Sequence, residues 1–228
     1  MYKLITFAFT IIILSCNPGQ DDDFQLFYQT FQGIMKEEPL MQALIEDRLF
    51  LDSFIVIPKK EEVQRILALS KAQLNTLHTF EITRLNPGLH KRYENLHAFL
   101  DLLIDKIALK KTYQTAPSFY SGLSYLEFLT TENNIEKLGK GLDQSVVLFQ
   151  TAIKNLNPVN IEKLKEAIKE GTAVFDFLSN EVRTHIEVLN LGKEEKKEML
   201  IKLTSAKLAV KNYIAFCNSK LFDLGEKS

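Results

Sequence analysis

The chain is poor in the features that usually announce a function. It has two cysteines, Cys16 and Cys217, in 228 residues, too few for a disulfide framework, so stability has to come from core packing. Charge of one sign is also missing. The 28 basic side chains nearly cancel the 29 acidic ones, which leaves no strong field to recruit nucleic acid, and no nucleic-acid partner is expected. No apolar run reaches the roughly 20 residues that a membrane-spanning helix needs. The common catalytic signatures are absent too: no His-Glu-x-x-His occurs among His78, His90, His97 and His185, and there is no Gly-x-Ser-x-Gly, phosphate loop or Gly-x-Gly-x-x-Gly. Gly139-Lys140-Gly141 lies inside a helical pattern and lacks the rest of a phosphate cradle. There is no internal repeat, low-complexity block or long charge run.

What is present begins at the N-terminus. Met1-Tyr2-Lys3 carries one positive charge, and Leu4 to Leu14 is apolar except for Thr6 and Thr10. That run fits a secretory h-region of about 7 to 15 residues. Leu14-Ser15-Cys16 follows it and resembles the lipobox of bacterial lipoproteins, whose cysteine becomes the lipidated first residue of the mature chain. Residues 1–15 then form a signal peptide, and the alternative is an ordinary cleaved signal with an incidental cysteine. Lipid on Cys16 would hold the protein on a membrane face, since several acyl chains on one residue anchor it stably. Cys217 would have no partner in its own chain, and "NYIAFCNSKLF" around it reads as a helix with a buried, inert thiol. Residues 16–23, with Pro18-Gly19 and Asp21-Asp22-Asp23, read as a short acidic flexible tether. The acidic cluster also looks like the export signal of Bacteroidota surface lipoproteins. A plain solvated linker explains it equally well, so the lipid anchor in the outer membrane leaves the surface and periplasmic sides both open.

Residues 24–228 read as one helical domain. Phe24, Phe27, Tyr28, Phe31 and Met35 form one stripe, suited either to a core or to the lipid surface near the tether. Further helices are expected at about 39–52, from 59 to the Asn86-Pro87-Gly88 stop, and at about 89–113, 118–130, 134–155, 160–191 and 193–222. Asn133 with Glu136 resembles a capping box, and Gly192 reads as a C′ stop. Valine and isoleucine alternate over no strand-length run. The expected fold is all-α, an antiparallel bundle of roughly seven to eight helices after a signal peptide.

Two clusters are candidates for chemistry. On a helix, His90, Glu94, His97 and Asp101 in "HKRYENLH" and just beyond it fall within a sector of about 60°. Two imidazoles and a carboxylate suit zinc. Histidines seven apart, however, straddle two turns, about 10 Å along the axis, which favours a solvated flank. Tyr113, Phe119, Tyr120, Tyr125 and Phe128 around Pro117 suit either a ligand groove or a packed helix turn.

In order, "LNPGLHKRYENLHAFLDLLIDKI", "TAPSFYSGLSYLEFL", "IEKLGKGLDQSVVLFQTAIKNLNPVNIEKLKEAI" and "AVFDFLSNEV" resemble the helical N-terminal half of the bacterial domain-of-unknown-function family 885, over roughly residues 60–185. The family's metallopeptidase-like motif lies in a C-terminal half with no counterpart here, so the resemblance implies a helical portion without the metal site. Two functions compete. One is a non-enzymatic, membrane-tethered binding or scaffold module whose partner is an envelope or surface protein; helical spirochaete surface lipoproteins that bind host factors resemble it. The other is a degenerate or metal-dependent hydrolase built on His90, Glu94, His97 or Asp101. No cofactor is expected beyond the covalent lipid on Cys16.

Overall fold

A computed structural model of the chain describes residues 19–225, apart from 52–53, 122–129, 131–133 and 159. The proposed signal peptide, Cys16, Tyr125, Phe128 and Asn133 lie outside the described residues. The expected all-α bundle is what the structure shows.

Helix α1 spans Gln20–Glu37. Asp21, Asp22 and Asp23 form its first turn and Lys36 its last, which matches the helix dipole at both ends. The tether expected over residues 16–23 is therefore corrected at its far end: from Gln20 the chain is helix, and it is fixed to the body. Gln20 Nε2 donates to the Glu81 carbonyl at 3.1 Å, and the Asp21 carboxylate accepts from both Asn86 N and Nδ2, at 3.0 and 2.9 Å. Phe24 and Phe31 are buried, so the aromatic stripe packs inward, and the lipid-surface alternative falls.

Helix α2, Pro39–Glu46, starts on a proline suited to N1 and ends at Asp47 in the left-handed region, φ 51°. The expected run to residue 52 is cut short because β1, Phe50–Leu51, turns back and pairs antiparallel with β2, Phe54–Ile55. These two-residue strands are the only ones among the described residues.

Helix α3 covers Lys60–Leu77, and a 3-10 turn follows at Ile82–Arg84. Helix α4 covers Pro87–Ile104. Asn86-Pro87-Gly88, expected as a stop, works as a start: the Asn86 side chain accepts from Gly88 N and Leu89 N, and Pro87 fills the first turn. The backbone then widens into a π-helical turn, Asp105–Lys110, and closes at Lys111 with φ 49°. Short α5, Thr112–Thr115, and a 3-10 turn, Pro117–Tyr120, lead away from it.

Helix α6, Ile135–Asn155, is capped by Asn134, whose side chain accepts from Lys137 N. Helix α7, Ile161–Phe177, is capped by Asn160 and passes through a π-helical turn, Leu178–Val182, into α8, Arg183–Val188. Helix α9, Lys193–Gly225, has 33 residues. Gly192 opens α9 and does not close α8: its N–H donates to Glu195 Oε2 at 2.9 Å, half of a capping box.

The main core lies where α6, α7 and α9 meet. Along α9, Met199, Leu203, Ala206, Val210, Tyr213 and Cys217 are buried at alternating steps of four and three, the spacing that keeps one stripe facing its neighbours. Gly171 lets α7 approach α9 closely, since a Cβ there would stand 3.0 Å from Ile214 Cγ1. A second, aromatic-rich core is formed by α1, the end of α3 and the start of α4, around Phe24, Phe31, Leu77, Leu89 and Leu96. Met35 and Phe99 pack against both cores. Among the described residues no helix is long and apolar enough to cross a membrane.

Candidate functional site

A group of ionisable side chains on the described surface sits beside the second core. Helix α3 ends at His78, whose backbone N–H bonds back to Leu74 O. Helix α4 runs back along it after the Pro87 turn and presents His97. The two imidazoles meet with Nε2 atoms 3.1 Å apart, ring centroids 5.1 Å apart and planes at 40°. On its other edge, His97 Nδ1 is 2.9 Å from Asp101 Oδ2, one turn further along α4. Tyr93 stacks on the His97 ring, with centroids 6.2 Å apart. His78 is exposed, and the His97 and Asp101 side chains are 36% and 53% exposed.

This arrangement takes two of the four residues singled out in "HKRYENLH" and leaves two. His90 turns away, with Nε2 2.7 Å from the Leu85 carbonyl, and Glu94 is exposed. His90, Glu94, His97 and Asp101 do not converge, as the axial rise between positions seven apart requires. Among the described residues no three His, Cys, Asp or Glu side chains are grouped to hold a metal ion. His78 is the participant that inspection of one helix misses. The signal for it was available, because Pro87-Gly88 lies midway between positions 78 and 97, and an antiparallel helical hairpin brings residues equidistant from its turn together.

Among the described aromatic residues around Pro117, Tyr113, Phe119 and Tyr120 are buried and serve the core. Tyr120 Oη donates to the Tyr113 carbonyl at 2.6 Å and accepts from Asn155 Nδ2, which also reaches the Pro58 carbonyl at 2.7 Å. Tyr213 Oη on α9 donates to the Pro117 carbonyl at 2.7 Å. Each buried hydroxyl thus satisfies a backbone carbonyl far from it in sequence, or fixes a turn. Burial raises the pKa of both phenols, so they stay protonated donors. Burial likewise pushes the Cys217 thiol up to about 11, with the neighbouring Tyr213 opposing the shift in part. Cys217 is a free, buried thiol, and a thiol kept protonated is a poor nucleophile. Nearby, the half-buried Glu170 carboxylate accepts from Ser121 Oγ, and burial raises its pKa.

Comparison with known proteins returns little beyond the fold. No protein-family model matches the chain, which leaves the likeness of residues 60–185 to family 885 without support. No curated protein matches it either. Among solved structures the chain is similar to a "putative lipoprotein of unknown function" from Shewanella oneidensis, with a TM-score of 0.71 and 20% sequence identity. The match covers 90% of this chain and 39% of that one. At that identity the likeness shows a shared helical fold, and the chain spans about two fifths of its neighbour's length.

Proposed function

We propose that this chain is an exported lipoprotein, anchored in the outer membrane through lipid on Cys16, whose helical body is a non-enzymatic binding or scaffold module for an envelope or surface protein. The observation that carries this reading is the position of Cys16: it closes an apolar run of signal-peptide length, in the sequence Leu14-Ser15-Cys16. The fold shared with the "putative lipoprotein" from Shewanella oneidensis supports it.

The start of α1 adds a geometric consequence. Gln20 and Asp21 are hydrogen-bonded to the body, so the first fastened side chain stands four positions after Cys16. Four residues reach about 14 Å when fully extended. A lipidated Cys16 therefore holds the face around Asp21, Glu81 and Asn86 close to the headgroups, and α9 is left to meet a partner. Helix α9 carries exposed Ile201 and Leu208, 58% and 57% accessible and two turns apart.

Replacing Cys16 with serine tests the anchor. The variant is expected in the soluble fraction after cell lysis, while the wild type stays with membranes; a variant that sediments like wild type contradicts the reading. Protease shaving of intact and permeabilised cells then separates a surface location from a periplasmic one. For the partner, Ile201→Glu with Leu208→Glu is expected to abolish cross-links that the wild type forms in cells, and unchanged cross-links would remove α9 from the contact.

A further inference from the structure

We infer that His78 and His97 form a divalent transition-metal site, of the imidazole-preferring class that includes zinc, with Asp101 fixing His97 as a ligand and water completing the coordination. The argument starts from tautomers. Asp101 Oδ2, 2.9 Å from His97 Nδ1, accepts the proton held there, which leaves the lone pair of a neutral His97 on Nε2. A carboxylate holding the far nitrogen of a histidine is the recurring support of imidazole metal ligands, because it fixes the ring and raises its basicity. The same Nε2 faces the Nε2 of His78 at 3.1 Å. Without a metal, His78 fills that gap as the Nε2–H donor. With the His78 proton on Nδ1, both Nε2 atoms offer a lone pair across that 3.1 Å gap.

The spacing suits an ion. Zinc bonds imidazole nitrogen at about 2.05 Å, and nitrogens 3.1 Å apart then subtend about 98° at the metal, between the octahedral and tetrahedral angles. The two rings come from different helices joined by the Pro87 turn, so the ion bridges α3 and α4 and does not merely decorate one of them. Both imidazoles reach the surface, which gives an entry path and leaves open coordination positions to water. The stacked Tyr93 ring limits rotation of His97. Imidazole donors without thiolate favour zinc, nickel and copper over calcium and magnesium, which prefer oxygen.

The test is zinc titration of the full chain in detergent by isothermal calorimetry near neutral pH, with circular dichroism confirming that each variant is folded. One zinc per wild-type chain is expected. His78→Gln and His97→Ala should each weaken binding at least tenfold. Asp101→Asn should weaken it by about tenfold or more through His97 alone, and His90→Ala should leave it unchanged. Zinc should also raise the thermal midpoint of the wild type and not that of His78→Gln, since an ion bound only by the folded state stabilises it. Wild-type protein that takes up no zinc overturns the assignment, as does a folded His78→Gln variant that binds like wild type. Loss of binding in His90→Ala equal to that in His97→Ala would overturn it as well.

Discussion

The two cores of the molecule are held together differently. In the main core, where α6, α7 and α9 meet, packing is reinforced by buried hydroxyls: Tyr213 ties α9 to Pro117, and Tyr120 with Asn155 ties the Pro117 turn to α6 and to Pro58. The second core, under α1, is a patch of rings. Phe80 packs edge-on against Phe24 at 5.4 Å, and Phe99 packs edge-on against Phe31 at 5.9 Å. Its polar fastenings, Asp21 to Asn86 and His78 to His97, lie at the surface. Buried hydrogen bonds stake a region on one geometry, because breaking one leaves an orphaned polar group. Surface fastenings carry no such penalty. The main core thus rests on packing and buried side-chain hydrogen bonds together, and the second core rests mostly on packing.

Equal mutations in the two cores test that contrast most strongly. Phe24→Ala and Phe149→Ala each remove a buried ring and should each cost about 3–5 kcal/mol of local stability. Native-state hydrogen exchange should then separate them. Phe24→Ala is expected to expose the amides of α1 while α9 keeps its protection, and Phe149→Ala to lower protection throughout. Equal loss along α9 in both variants would mean that the layers unfold as one.

A smaller effect sharpens the role of the hydroxyls. Tyr213→Phe keeps the ring and strands the Pro117 carbonyl, so the denaturation midpoint should fall by the equivalent of about 1–3 kcal/mol. Asn86→Ala removes an N-cap and one of the two hydrogen bonds to Asp21 together, and should cost about 0.5–2 kcal/mol, read as loss of exchange protection at the starts of α1 and α4.

How far these regions could be read from the sequence differs in the same way. The helical periodicity of α6, α7 and α9 was plain because long buried stripes repeat over many turns. Helix limits set by local caps were also near at hand, and the errors there have physical causes. Asn86-Pro87-Gly88 contains both stop and start residues, and only the Asn86 side-chain hydrogen bonds decide for a start. Asp21-Asp22-Asp23 looked like solvated linker because acids are soluble, yet acids also favour a helix N-terminus, and the Asn86 contact that fixes them lies 65 residues away. The β1–β2 hairpin leaves no signature in the sequence, because two-residue strands are too short to show alternation. At the histidine site, one helix face showed His97 and Asp101, whereas His78 enters only when α3 is folded back against α4.

The smallest expected effect concerns pH. Burial raises the Glu170 carboxyl above its ordinary value of 4.5, so the folded state holds that proton more tightly than the unfolded state does. Stability from this group is greatest below 4.5 and declines as pH rises through the folded value. Glu170→Gln should flatten that decline in a series of denaturation midpoints, and an unchanged slope would assign the pH dependence elsewhere.

One measurement bears most directly on the lipid-anchored function: mass spectrometry of the N-terminal peptide of the protein isolated from its own membranes. A lipoprotein yields a mature chain that begins at Cys16 and carries acyl groups on that residue. A chain that begins elsewhere, or an unmodified Cys16, would contradict the anchor and remove the reason for placing the Asp21 face beside the membrane.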